Sequence, residues 1–377
     1  PTYNAMSKMI FSDPEMRRDI ICIGGTSQWP ATIFRGIDQW GERYGYILVD
    51  PIGGAIGAFS HADGISTGGQ ARTPICKMPN IEHTEQDFPV LFLYRKEVPD
   101  SGGAGKYRGG MSAESCFIPH NTESITQDTL SSGNATPTGT GMMGGYPGAT
   151  NEYKYKRNSD IQSHIETGQM VDDISELNGE DVTLQLRQVD FQQQPVDVYA
   201  VVCSAAGGFG DPLDRDTKLV QMDIEGNAVT VEAAREIYGV IVDPDTLEVN
   251  QDATYKLRAD TRHHRLKGYS GTPIRCDGEI VIHVTENLDL RSDAGREVYC
   301  CAKCQTEVGL LGSNYKEHCI RIDEPVTKSN VLIGEPSRFI DDTPEFRQFS
   351  CPGCGTLIEN EIAMRGEPVL MDIHIEK

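Results

Sequence analysis

The sequence predicts an α+β protein in two parts: a glycine-rich, strand-dominated mixed domain, then a small β-rich unit of zinc-ribbon-like build. Three observations carry this expectation. Apolar strings such as VLFLYRKEV (90–98) and VDVYAVVC (196–203) recur between glycine clusters, as strands joined by tight loops do. Helical signals are confined to the N-terminus and to residues 217–266. Two Cys-x-x-Cys pairs, in YCCAKCQTEVG (299–309) and FSCPGCGTLIENE (349–361), stand in the last fifth of the chain.

The chain has 377 residues, 38% hydrophobic and 24% charged, enough for two or three domains with a substantial core. No apolar run approaches the ~20 residues that span a bilayer; YGYILVDPIGGAIGAF (44–59) is broken by Asp, Pro and Gly. A formal charge of −22 repels phosphate backbones and anionic lipid, so no nucleic-acid or membrane partner is expected. The N-terminus has no basic region followed by an apolar core, hence no signal peptide. Pro1 is what removal of an initiator Met leaves, so a natural start is expected. Of eleven cysteines, Cys22, Cys76, Cys116, Cys203, Cys276, Cys300 and Cys319 lack regular spacing, and most sit in apolar strings. That is cysteine used as a small hydrophobe in a reducing compartment, and a cytoplasmic location follows.

Residues 5–20 read as an amphipathic helix broken near Pro14. ICIGGTSQW (21–29) and YGYILVD (44–50) open a glycine-rich strand-and-loop stretch to residue 75. VLFLYRKEV and SAESCFI (112–118) are strands around a glycine loop, and residues 121–160 read as loop. DVTLQLRQVDF (181–191) alternates as a strand does. VDVYAVVC continues into glycine as a buried strand, and TKLVQMDIEGN (217–227) is a short helix or strand. TVEAAREIYGV (230–240) is a helix with Thr230 as N-cap, Glu232 in the first turn and Gly239 as its stop. A hairpin is expected around Pro244–Asp245, then a second helix over 251–266. The expected division is a first domain over 1–266, a linker over 267–279 and a cysteine domain over 280–377.

Cys301, Cys304, Cys351 and Cys354 each belong to a turn that can aim two thiolates inward, and four thiolates suit a tetrahedral Zn2+. A thioredoxin-like pair would be single and near a βαβ unit, and disulfides conflict with the remaining cysteines. Four thiolates leave no open position for water, so the expected metal role is structural. Gly353 is expected to permit the backbone twist of its turn. Cys300 could replace Cys301 at a less usual spacing. His318 and Cys319 lie close in sequence, but a lone His is more often a surface or core residue than a ligand, and four cysteines suffice.

DSGGAGKYRGG (100–110) sets Lys106 and Arg108 among five glycines. Two readings stand: an anion cradle of amides and cations, or a crossover that needs positive φ. It matches neither the phosphate loop nor the dinucleotide fingerprint. In AAGGFGDPLDRD (205–216), Asp211, Asp214 and Asp216 could offer oxygens to a cation or cap helices. HADG (61–64) offers His61 and Asp63 as a general base or as a turn. The candidate catalytic residues are thus His61, Asp63, Arg108 and Asp211.

FPVLFLYRKEVPDSGGAGKYRGG, GGAIGAFSHADG, GGYPGA, GGFGDPLDRD and VTVEAAREIYGVIVD with DATYKLR occur in order across residues 40–260. Together they resemble the hydantoinase B/oxoprolinase family. CAKC, NYKEHCIRIDEP and FRQFSCPGCGTLIENEIAMRGEPVLMDIHIEK, over residues 280–377, resemble the small zinc subunit of acetone carboxylase. The pair of resemblances implies a mixed domain of the hydantoinase B type fused to a zinc domain. It implies a subunit of an ATP-driven ketone carboxylase of the acetone/acetophenone type, which joins a small ketone to bicarbonate to give a β-keto acid. A cyclic amide hydrolase subunit and a non-catalytic assembly module are the alternatives. The family's opening section, with its His-Asp motif, has no counterpart here. The resemblance therefore implies partner chains: one carrying the N-terminal half of the hydantoinase B fold, and a hydantoinase A-like subunit that binds ATP.

Overall fold

The computed structural model describes residues 2–20, 22, 30–70, 73–74 and 76–375. The reading of ICIGGTSQW as strand and loop therefore lies outside the described residues, apart from Cys22.

Two antiparallel sheets face each other in the first unit. One runs in the order Arg187–Gln193, Ile125–Leu130, Ala31–Ile37, Arg43–Ile47. The other runs Val90–Glu97, Ala113–Pro119, Val198–Val202, Glu152–Arg157, with the short Glu180–Asp181 at its edge. Their inner faces meet through Phe34, Phe92, Phe117, Tyr153, Tyr155 and Tyr199, as sandwiched sheets do. The second sheet is covered on its far side too, by Ile161, Val171, Ile174 and Leu177. That double burial is why Ala113–Pro119 and Val198–Val202 are buried at every position, and why Val198–Val202 reads as a continuous apolar run.

The N-terminal helix spans Thr2–Phe11 and ends before Pro14. Asp216 caps Thr217–Glu225, Thr230 caps Val231–Glu236 and Asn250 caps Gln251–Arg265, each side-chain oxygen taking a free N–H of the first turn. Gly239 follows with φ +61°, the left-handed residue that ends a helix.

Four expectations need correction. The 121–160 stretch contains two strands, Ile125–Leu130 and Glu152–Arg157; the first turns Gln127 and Thr129 inward, so its inner face carries no apolar alternation. The strand expected over 181–191 is split, with Arg187–Gln193 bulged between Gln188 and Phe191, where Asp190 takes φ +54°. The hairpin around Pro244 is reduced to one bridge, Val242 to Val249. The linker is shorter than expected. Glu307 N–H donates to Ile274 O, Cys276 N–H donates to Gln305 O, and Cys276 is buried against Val298 and Cys300. Residues 274–279 are therefore held by the cysteine unit.

That unit is two further antiparallel sheets. One joins Glu279–Thr285, Leu288–Asp293, Arg296–Cys301 and Glu307–Leu310; the other joins Ile320–Pro325, Pro344–Ser350 and Leu357–Met364. Tyr299, Val308, Tyr315 and Ile358 fill the space between.

Candidate metal centre

Cys301 ends one strand, Cys304 lies in the turn after it, and Cys351 and Cys354 repeat the arrangement after Pro344–Ser350. The two turns share a backbone pattern. Cys301 N–H donates to Thr306 O and Gln305 N–H to Cys301 O; Cys351 N–H donates to Thr356 O and Gly355 N–H to Cys351 O. The fifth residue of each, Gln305 at φ +64° and Gly355 at +72°, is left-handed. Each turn is thus a closed knuckle that aims two sulfurs at the other.

The sulfurs converge. Cys301 Sγ is 3.8 Å from Cys354 Sγ, Cys304 Sγ is 3.5 Å from Cys351 Sγ, and all four lie within 4.8 Å of one another. A tetrahedron of thiolates at ~2.3 Å from a zinc ion has edges of ~3.8 Å. The donor set fits a four-coordinate ion with no position left for water. Hydrogen bonds among the sulfurs separate their titrations. Those with Cys301 lead in pulling Cys304 down and Cys354 to about 6, and those with Cys304 and Cys301 push Cys301 and Cys351 up respectively. Cys300 points away, into the pocket with Cys276 and Val298. Cys319 packs beside the core of the unit, and His318 lies against Gly309.

The sequence reading missed the threonine two places after each second cysteine. Thr306 Oγ1 is 3.2 Å from Cys304 Sγ, and Thr356 Oγ1 is 3.2 Å from Cys354 Sγ. The repeat Cys-x-x-Cys-x-Thr was the available signal. Gly353 is needed for a reason other than twist: its φ is ordinary, but a Cβ there would collide with Thr306 Oγ1 of the opposite knuckle.

The knuckles rest on the acidic segment 211–214. Asp211 is fully buried; it pairs with Arg265 at 2.7 Å, accepts Leu357 N–H at 3.0 Å and caps Leu213. Arg265 also donates to Gly355 O at 3.1 Å. Asp214 holds Arg262 at 2.8 Å and Lys303, inside the first knuckle, at 3.1 Å. So Asp211 seats one knuckle and Asp214 the other. Burial pushes the Asp211 carboxyl up, but Arg265 and the two N–H donors more than offset it and hold it below the usual range. Asp216 is spent as a helix cap. The three carboxylates therefore act as separate anchors and do not converge on a cation.

Asp63, Arg108 and two unforeseen residues, Arg215 and Asp223, form a second cluster. Asp63 accepts Arg108 N–H at 2.7 Å and pairs with Arg215 at 2.6 Å; Asp223 pairs with Arg215 at 2.6 Å and Arg108 at 3.1 Å. Arg108 is thus consumed by Asp223 and the Gly109 carbonyl, which leaves an anion cradle without its guanidinium. His61 is exposed and its ring lies 5.9 Å from Phe59. The five glycines of 100–110 also behave differently from expectation: none has positive φ. They allow backbones to touch. A Cβ on Gly103 would strike Tyr146 O and lie 2.7 Å from Gly208 N.

Comparison with known proteins follows the same division. The family model for hydantoinase B/oxoprolinase matches residues 6–212, and the model for the acetone carboxylase gamma subunit matches 274–376. The acetophenone carboxylase delta subunit of Aromatoleum aromaticum is 28% identical over 275 residues, 70% of this chain and 40% of that protein. The acetone carboxylase alpha subunit of Xanthobacter autotrophicus is 29% identical over 247 residues, 61% of this chain and 32% of that protein. A nucleotide-free acetone carboxylase structure superposes with a TM-score of 0.61 at 25% identity, over 68% of this chain and 36% of the other. A caprolactamase from Pseudomonas jessenii shares the fold, with a TM-score of 0.52. The chain thus spans less than half the length of the relatives it matches.

Proposed function

The chain belongs to the hydantoinase B/oxoprolinase family, and from that premise we propose that it is one subunit of an ATP-dependent ketone carboxylase. The complex joins a small ketone of the acetone/acetophenone class to bicarbonate. The observation that carries this reading is the union of two matches on one chain. A hydantoinase B-type match (residues 6–212) and an acetone carboxylase gamma-type match (274–376) lie on one chain, and the two units interlock through Asp211, Asp214 and Arg265. The amide-hydrolase alternative rests on a caprolactamase subunit 28% identical over 48% of this chain.

In this reading Cys301, Cys304, Cys351 and Cys354 hold a structural Zn2+. The ion fastens two sheets and supplies no chemistry. ATP binds on a hydantoinase A-like partner, since this sequence has no phosphate-loop motif. A second partner supplies the rest of the family fold. The outer face of the first sheet supports it: Ile33 pairs across the strands with Ile47, and both are exposed together with Ile37, Leu130 and Val189. Five exposed apolar side chains around the Arg35–Asp128–Asp190 ion triad give that face a docking surface. No helix of the described residues is long and apolar enough to cross a membrane. The seven cysteines outside the cluster form no disulfide, which suits the cytoplasm.

The test is reconstitution. The chain is co-expressed with the two partners, and the complex is given ketone, 14C-bicarbonate and ATP. Acid-stable label fixed only with all three chains and ATP supports the carboxylase. Hydrolysis of a lactam without fixation of label replaces it with the amide hydrolase.

A further inference from the structure

A cavity of about 550 Å³ lies where the N-terminal helix, the loop 137–147 and the strand Leu357–Met364 meet. It is separate from the cysteine cluster and sits between the two units, a common place for small-molecule sites. Ala5, Pro137, Pro147, Ile362 and Leu370 give it an apolar wall. Its other end is charged but balanced. Lys8 pairs with Glu359 at 2.6 Å and with Asp372; Lys316 pairs with Asp372 and Glu361, each at 3.2 Å. Arg347 shares Glu361 and Glu345, and Arg365 holds Glu345 from outside. Four cations meet four carboxylates. A ligand that brought its own charge would leave it uncompensated in a buried place, at high cost.

Glu359 Oε2 and Asp372 Oδ1 lack a hydrogen bond among the described residues, but each already faces an ammonium, Lys8 at 2.6 Å and Lys316 at 3.2 Å. That leaves two polar groups available to a neutral ligand. Burial pulls the pKa of the Lys8 ammonium down, but Glu359 and Asp372 outweigh it and hold it above its ordinary value. An ammonium has three protons, and two carboxylates take two of them. Asn4 is oriented by its Nδ2 bond to Thr140 Oγ1 at 2.7 Å, while its buried Oδ1 has no hydrogen-bond partner among the described residues. The cavity therefore offers one donor, one acceptor and an apolar wall.

We propose that this cavity binds a small, neutral carbonyl compound, its oxygen on Lys8 and its apolar body against Pro137, Pro147 and Ile362. A ketone fills the Lys8 donor alone. A lactam fills both positions, with its N–H on Asn4 Oδ1. The choice of ketone as probe rests on the carboxylase reading; the cavity does not.

Isothermal titration of the assembled complex with acetophenone, caprolactam and ethylbenzene tests it. Acetophenone should bind at least tenfold more tightly than ethylbenzene, which has the same apolar ring and no oxygen, and caprolactam should bind measurably. Ile362→Trp fills the cavity from the sheet side without touching the ion network, and should weaken both at least tenfold. Lys8→Met should bring acetophenone to the level of ethylbenzene; if that variant does not fold, Ile362→Trp still decides. Asn4→Leu should weaken caprolactam and spare acetophenone, which separates the two ligand sources. Undetectable binding of both carbonyl compounds, equal binding of all three probes, or affinities untouched by Ile362→Trp, overturns the proposal. A complex that fixes bicarbonate onto acetophenone with Ile362→Trp at wild-type KM also overturns the chamber, and leaves the carboxylase standing. A complex that binds ketone here but fixes no label does the reverse.

Discussion

The glycine-loop unit and the cysteine unit are held together by opposite means. In the first, loops touch backbone to backbone: Gly103 N–H donates to Ala206 O, Gly208 N–H to Tyr146 O, and Tyr146 N–H to Ala104 O. What lets them approach is the lack of side chains. In the second, four side chains converge on one point and would repel as thiolates without a cation between them. One unit fails when an atom is added, the other when an ion is removed. Both meet at Asp211 and Asp214, so the seam inherits the demands of each.

Metal removal should have the largest effect. Structural zinc contributes an apparent ~10–16 kcal/mol in small zinc modules. Chelation, or Cys351→Ser, should abolish amide protection across Pro344–Ser350 and Leu357–Met364 while Val198–Val202 stays protected. Hydrogen exchange with mass spectrometry reads this, and elemental analysis should find one zinc per chain before chelation. Full protection of both regions in a metal-free chain removes the metal reading. Collapse of both together would mean that the seam, and not the ion, sets the cooperative unit.

Adding an atom to the other unit comes next. Gly103→Val should cost ~3 kcal/mol or more, because the obstacle is backbone that cannot swing aside. Gly334→Ala is the control. Its Cβ would meet nothing nearer than the flexible tip of Arg338 at 3.6 Å and its φ is ordinary, so its effect should stay within ~0.5 kcal/mol. Denaturant midpoints on the assembled complex decide; equal costs would mean that the loop shifts to admit a side chain and that close backbone approach does not hold it.

At the seam, Arg265→Met leaves the Asp211 carboxylate buried and unpaired, which should cost ~3–5 kcal/mol. Asp211→Asn with Arg265→Met should cost less than Arg265→Met alone, because no bare charge remains. The pH dependence has a fixed sign. The folded Asp211 carboxyl is held below its ordinary value, so the stability it adds is present above the unfolded carboxylate range of ~4. It is lost as pH falls through the lower folded value. Denaturant midpoints between pH 7 and pH 3 should fall at the acid end in the wild type and less in Asp211→Asn. A steeper acid loss in the variant would contradict the assignment.

The legible parts were those with one-dimensional spacing. Cys301, Cys304, Cys351 and Cys354 declare themselves by two-residue gaps, and Thr230 and Gly239 bracket their helix by position alone. Ile125–Leu130 was not legible, because its inward Gln127 and Thr129 are polar residues buried in a sandwich. Asp63, Arg108 and Asp211 were legible as unusual but not in role. Their partners Arg215, Asp223 and Arg265 are distant along the chain in the cases that matter, and only the fold shows that each charge is already paired. The glycines were seen and misassigned: a string of glycines looks the same whether it serves φ or close approach.

The smallest expected effect concerns the two threonines, and it sharpens the comparison because it separates tuning from holding. Thr306 and Thr356 each touch the sulfur of the outer, half-buried cysteine of their knuckle at 3.2 Å. A hydroxyl donating to a thiolate spreads its charge and fixes its direction, and partners of this kind typically change metal affinity by ~10–100-fold. Valine keeps the branched shape and removes the donor. Thr306→Val should weaken zinc about tenfold in a competition titration with a chromophoric chelator, with little change in the fold of the zinc-loaded chain. Thr356→Val should do the same. Because the knuckles share one backbone pattern, the double variant should lose about the product of the two. If instead Thr306→Val melts the unit with zinc bound, the residue acts through its contact with Gly353 across the knuckles, and its role is steric and not electronic.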